Sequence, residues 1–110
     1  MAVMPVQKPG RSKQDYQTPP AFLDATQSLL HISGFSYDLA ASVENAVCPR
    51  FYDEAMDSLK QSWVVGGYAW CNPPFSQIRP WVEKAVAEVM LGAQIAMLLP
   101  ASVGSAWWFD

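Results

Sequence analysis

The sequence predicts an α/β domain built on an at least partly parallel sheet. Three observations carry that prediction. Two short runs, Tyr68-Ala69-Trp70-Cys71 and Ala93-Gln94-Ile95-Ala96-Met97-Leu98-Leu99, are almost continuously apolar, as strands covered on both faces are. Between them lies the best helical pattern of the chain, Trp81 to Leu91, opened by Pro80, with Val82, Ala85, Val86, Val89 and Met90 on one face. Strand, break, helix, Gly92, strand is a βαβ unit, whose two strands run parallel and whose crossover is right-handed.

The other elements follow in chain order. Residues 1–14 carry two Pro, one Gly and no apolar period, and are expected to form a flexible basic arm, with one α/β domain over 15–110. Thr18-Pro19-Pro20 reads as a helix start, Thr18 being the N-cap and proline sitting in the first turn. Phe22, Leu23, Thr26, Leu29 and Leu30 repeat at helical spacing, and Gly34 follows as a stop. Phe35 to Ala40 reads as a strand that reaches a polar end at Asp38. The stretch 43–62 mixes one helical turn, a Pro49 break and a short helix around Asp53–Leu59. Gly66-Gly67 is a turn into the first apolar strand, which breaks at Asn72-Pro73-Pro74, and the last strand ends at Pro100. The chain closes on Ala106-Trp107-Trp108-Phe109-Asp110; so many terminal aromatics suit an incomplete domain, or a surface for self-association.

Composition narrows the classes. The 110 residues are 51% hydrophobic and only 15% charged, which excludes a disordered charged tail. Fourteen aromatics, five of them Trp, exceed what so small a core hides, so some are expected at a ligand site. Lys8, Arg11 and Lys13 give the arm +3, whereas 10 acids against 4 bases leave the rest at −6. An acidic body lacks the basic face of a nucleic-acid binder, and the arm adds only a modest phosphate contact. Cys48 and Cys71 have no metal-ligand or CxxC spacing, so a reduced, cytoplasmic setting is expected; no signal peptide and no membrane span are visible.

In open α/β sheets ligands bind beyond the carboxyl ends of strands. Those ends here are Asp38, Asn72 and Pro100-Ala101-Ser102. Asn72-Pro73-Pro74-Phe75 is the sharpest feature. Two prolines after a buried strand fix the backbone and remove two N–H donors. A side-chain amide oxygen and a rigid carbonyl can then accept both hydrogens of an exocyclic NH2, which draws the nitrogen lone pair out of conjugation. Phe75 offers a face for a planar group, a contact worth about 1–3 kcal/mol per base. The same four residues also suit a simple strand-ending turn.

The motif matches the [DNS]-P-P-[YFW] of amino-group methyltransferases, and its surroundings resemble the small phage-type DNA N6-adenine methyltransferases. The similar pieces, in order, are Asp15-Tyr16-Gln17-Thr18-Pro19, Asp38-Leu39-Ala40-Ala41 with Asn45, Asp57-Ser58-Leu59 with Trp63, the NPPF itself, Trp81–Ala85 and Leu98–Ala101. The resemblance implies a Rossmann-like S-adenosylmethionine-dependent methyltransferase fold, mainly parallel and here incomplete at the C-terminus. It implies that Asn72, Pro73, Pro74 and Phe75 hold an adenine flipped out of double-stranded DNA, and that the cofactor is S-adenosylmethionine. Asp38 is then the carboxylate beside the cofactor, Asp57 the acceptor for the cofactor's adenine amine, and Asp15, Tyr16 and Thr18 the N-terminal wall of its pocket. No metal is required, since the leaving group is a neutral thioether. Ala40-Ala41-Ser42 stands where dinucleotide folds carry a glycine-rich loop.

Each remaining residue has a structural reading. His31 suits a helix C-cap, Cys71 inert packing, Asp53-Glu54-Asp57 a solvated helix face, and Trp107 and Trp108 the core of a missing element. The motif alone does not separate adenine from a protein amide or an RNA base, and a non-catalytic remnant that self-associates is the reading of a different class.

Overall fold

A computed structural model describes residues 18–42 and 44–100, together with the backbone of 2–6. Four parallel strands form one sheet in the order β1-β4-β3-β2: β1 Ala2–Val6, β2 Tyr37–Asp38, β3 Tyr68–Cys71 and β4 Gln94–Pro100. Helices α1 (Pro20–Leu30) and α2 (Ile78–Met90) complete it. The chain is therefore α/β with a parallel sheet, and β3-α2-β4 is the predicted βαβ unit.

Strand alternation assigns the two faces. Ala69 and Cys71 of β3 and Ile95, Met97 and Leu99 of β4 pack with Ile78, Trp81, Val82 and Ala85 of α2 and with Leu39 and Trp63. Trp70, Ala96 and Leu98 project the other way, against Phe22, Leu23 and Leu30 of α1 and against Phe35, whose ring lies 5.3 Å from that of Trp70. Coverage on both faces is why these strands read as unbroken apolar runs.

Several expectations are corrected. Ala2–Val6 is not a loose arm but the edge strand β1, with Met4 opposite Leu98; an edge is where a sheet tolerates a proline such as Pro5. The rest of the arm, Asp15, Tyr16 and the terminal aromatics lie outside the described residues. Thr18 is not the N-cap of α1: Pro19 holds that position with no side-chain cap. With prolines at 19 and 20 the amides that a Thr18 cap would bond are largely missing, which leaves its hydroxyl for another partner. His31 does end α1, in the left-handed region at φ 57°, its N–H reaching the Gln27 and Ser28 carbonyls. The predicted α2 face is rotated: Glu88 is buried while Val86 and Met90 are exposed. The expected helix at Asp53–Leu59 is two single 3-10 turns, Glu54–Met56 and Ser58–Lys60, broken at Asp57, which takes φ 54°.

Glu88 explains the rotation. Its Oε1 accepts the Trp63 backbone N–H at 2.6 Å and its Oε2 the Lys84 ammonium at 3.1 Å. The pair is mostly buried, with side-chain exposures of 18% for Lys84 and 8% for Glu88. One helix carboxylate thus fastens the loop that carries Trp63, and Trp63 in turn stacks 5.6 Å from Trp81.

Candidate functional site

The strand order creates a crevice. The Asp38 backbone exchanges hydrogen bonds with Arg50 and Tyr52 on one flank, pairing Asp38 with Phe51 in a parallel bridge, whereas the Leu39 N–H turns to Trp70 of β3 on the other. From β2 the chain therefore moves outward to Phe51 and then returns across β2 to β3 and β4. That reversal is a topological switch point, where the loops leaving adjacent strands part and open sheets bind ligands. A cleft of about 580 Å³ lies there, bordered by the carboxyl ends of β2 and β3, the segments that follow them and the start of α2.

Asp38 shapes its floor. The side chain is 3% exposed, and its two oxygens accept the amides of Ala40 at 3.1 Å and Val47 at 3.0 Å. Burial pushes its carboxyl above the ordinary range, and the two backbone N–H groups pull the other way. Asn45 adds a bond from the Ser42 N–H at 2.7 Å. A loop without glycines is thus held by side-chain acceptors, which organise its amides. Asp38→Asn leaves one amide facing an NH2 donor, so a loss of about 1–3 kcal/mol in unfolding free energy is expected by denaturant titration.

Asn72 stands at the end of β3. Its Nδ2 donates to Thr18 Oγ1 at 3.3 Å, while its Oδ1 has no protein partner among the described residues. This tether is the use of the Thr18 hydroxyl that the missing cap releases. The Pro74 carbonyl is taken by the Gln77 N–H at 3.0 Å, whereas the Pro73 carbonyl bonds no group of the described chain. The Asn72 oxygen is thus an open acceptor at the cleft, whereas Pro73 is buried and stands behind the lining.

The structure brings Thr18, Asp38, Asp57, Asn72 and Pro74 to the same cleft. Pro73 is buried, and Phe75, half-buried, packs against both core clusters; neither lines the cleft. Asp57 is half exposed and 3.7 Å from Lys60. Sequence reasoning missed Asp53 and Trp81. Asp53 borders the cleft two residues after the Phe51 bridge and caps the next turn through Oδ1, accepting the Met56 N–H at 3.1 Å. The signal for it was an acid following a short strand, hidden because a single bridge leaves no periodic pattern. Trp81 read as a core residue.

The cleft is acidic: Asp38, Glu44, Asp53, Glu54 and Asp57 line it, and no Lys, Arg or His does so among the described residues. Its volume is that of a small-molecule or cofactor site. Cys71 is fully buried beneath it, and burial raises its thiol well above the usual range, so it stays a neutral packing group. No cluster of His, Cys, Asp and Glu suited to a metal occurs among the described residues, and no described helix is long and apolar enough to cross a membrane.

Comparisons with known proteins point one way. Residues 6–110 match the family model described as DNA N-6-adenine-methyltransferase (Dam). The chain is 35% identical to the "DNA N-6-adenine-methyltransferase" of Escherichia phage T1, over 92% of this chain and 46% of that protein. It is 32% identical to the protein of the same name from Haemophilus phage HP1, over 69% of this chain and 43% of the relative. The chain therefore spans less than half the length of these curated relatives. No solved structure matches it significantly.

Proposed function

Because this chain belongs to the DNA N-6-adenine-methyltransferase family, we propose that it is part of an S-adenosylmethionine-dependent enzyme that methylates the exocyclic amine of adenine in double-stranded DNA. The observation that carries the reading is Asn72: an amide at a switch-point cleft, tethered through its nitrogen to Thr18, with its oxygen unpartnered among the described residues. The parallel order β4-β3-β2, continued by the Phe51 bridge, suits a Rossmann-like methyltransferase sheet.

The residues present fit the cofactor. A nucleoside offers hydroxyl and amine donors, and the cleft offers carboxylates of matching number and a volume of about 580 Å³. In this reading Asp57 accepts from an adenine amine and Asp53, at the end of the bridged segment, from ribose hydroxyls. The loop amides that Asp38 organises form the floor. The cofactor, when bound, supplies an electrophilic methyl group on a sulfonium whose departure leaves a neutral thioether. The chain's own work is then orientation and polarisation. Asn72 Oδ1 accepts a hydrogen of the adenine amine, raising the nucleophilicity of its nitrogen. Thr18 keeps the Asn72 amide from turning its NH2 toward the substrate. Phe75 gives its exposed side to the flipped base.

Asp57 separates cofactor binding from folding. Its φ of 54° suits glycine better than any other residue. Asp57→Gly is therefore expected to keep or raise the melting temperature while weakening S-adenosylhomocysteine about tenfold, the worth of one charge-assisted hydrogen bond. Calorimetric titration of S-adenosylhomocysteine, followed by methyl-transfer assays on duplex DNA, tests the whole reading. Absence of both binding and transfer in a folded chain would sink it. Transfer to a glutamine peptide or RNA but not to DNA would keep the chemistry and change the acceptor.

A further inference from the structure

Asn45 leaves half of its amide unused at the cleft. Its Oδ1 accepts the Ser42 backbone N–H at 2.7 Å, which fixes the amide with its oxygen toward the loop. Its Nδ2 has no protein partner among the described residues and is not buried, and the residue borders the cleft. The backbone amides around it are already engaged. Those of Ala40 and Val47 go to the Asp38 carboxylate, and that of Ala41 to the Tyr52 carbonyl. The Ser42 amide goes to Asn45 itself, and those of Asn45 and Ala46 to the Ser42 carbonyl. Glycine-rich loops present such amides to anions; here a side-chain NH2 is what the loop offers. The cleft's other side-chain amides are placed elsewhere: Asn72 gives its nitrogen to Thr18, and Gln77 stands at the start of α2, beyond the motif.

We infer that Asn45 Nδ2 donates to the carboxylate of the methyl donor's amino-acid arm. The inference rests on the functional reading above and adds a binding residue to it. In that reading the nucleoside lies toward Asp53 and Asp57, on the Phe51 flank, and the methyl group faces Asn72 at the end of β3. The sulfur that joins these parts lies between them, above the end of β2. Its third substituent, the amino-acid arm, therefore starts over the loop that carries Asn45. The arm ends in an ammonium and a carboxylate. The ammonium has partners in plenty, since the charged side chains lining the cleft are all acids. The carboxylate needs a donor that the described charged residues do not supply, and a neutral amide supplies one without a further charge to desolvate. A hydrogen bond to an ionised acceptor is also among the stronger ones an amide can make.

The test is a set of calorimetric titrations of S-adenosylhomocysteine and of its decarboxylated analogue into the full chain, as wild type, Asn45→Ala and Asn45→Asp. Both substitutions remove the donor. Alanine adds no charge, and aspartate keeps an acceptor for the Ser42 N–H, so the lost NH2 is what the two variants share. The ratio of the two affinities should shift about tenfold against S-adenosylhomocysteine in Asn45→Ala, and further in Asn45→Asp. Taking the ratio on each variant cancels a general loosening of the loop. A ratio unchanged in both variants, or changed in Asn45→Asp alone through its added charge, overturns the inference and leaves the functional reading standing. Should Asn45→Ala fail to fold, the wild-type protein decides: the assigned Asn45 NH2 resonances should move downfield on saturation with S-adenosylhomocysteine and far less with the decarboxylated analogue. Unmoved resonances in the saturated wild type overturn the inference alone. Failure of the folded wild-type chain to bind S-adenosylhomocysteine overturns both.

Discussion

Replacing Asn72 with alanine is expected to lower kcat for adenine methylation by about 10²–10³-fold, the usual cost of losing one preorganised polar group at a reacting centre. The mutation removes the side-chain acceptor that polarises the amine. Cofactor affinity should stay within a factor of about two, since the carboxylates that suit the nucleoside come from other segments and effects at separate sites are usually independent. Asn72→Asp supplies a discriminating control. It keeps an acceptor in place and loses the donor to Thr18, so it should retain far more activity than the alanine variant. Single-turnover methylation of an adenine-containing duplex, with S-adenosylhomocysteine binding measured alongside, checks both statements. Equal activity of Asn72→Ala and wild type would remove the motif from the reaction.

Glu88→Ala is expected to be the most damaging substitution for stability, at about 3–5 kcal/mol, because it strands a mostly buried ammonium without its partner. The Trp63 N–H loses its acceptor at the same time, and the loop that carries this fully buried indole loses its anchor. A fall in Tm of at least about 10 °C should accompany it. Protonation should produce a milder version. Burial pushes the Glu88 carboxyl up, but the Trp63 N–H and Lys84 together outweigh it and hold the group below its ordinary value of 4.5. A carboxylate depressed in the fold adds stability above the unfolded-state pKa, and that contribution is lost as pH falls below about 4.5 toward the lower folded value. Wild-type Tm should therefore drop across that acid range by more than the Tm of Glu88→Gln, which has no proton to gain.

Much of the scaffold was legible because it obeys local rules. The strands at 68–71 and 94–100 and the helix between them announce themselves by apolar runs, prolines and Gly92. The motif was legible for the same reason: two prolines after a strand have few structural uses. What failed to show depends on contacts between residues far apart in sequence. Ala2–Val6 is too short and too interrupted by Pro5 to read as a strand, and only its pairing with β4 makes it one. Glu88 reads as a solvated helix charge until Trp63, 25 residues earlier, donates to it. Thr18 was assigned to its neighbours by proximity, whereas its hydroxyl serves an asparagine 54 residues away. Trp81 fits an apolar helix face, and only the folded chain shows that it also borders the cleft.

The pairing of β1 with β4 also bears on the order in which the molecule can assemble. Met4 lies opposite Leu98, so the first strand of the chain finds its place only against the last one described. During synthesis the β1 segment must wait, unpaired, until β4 has left the ribosome. The β3-α2-β4 unit is local and can form early, whereas closing so long a loop comes late and slows folding. Refolding should accordingly end with the docking of β1, and a cap or fusion that delays its release should trap a species lacking only that edge.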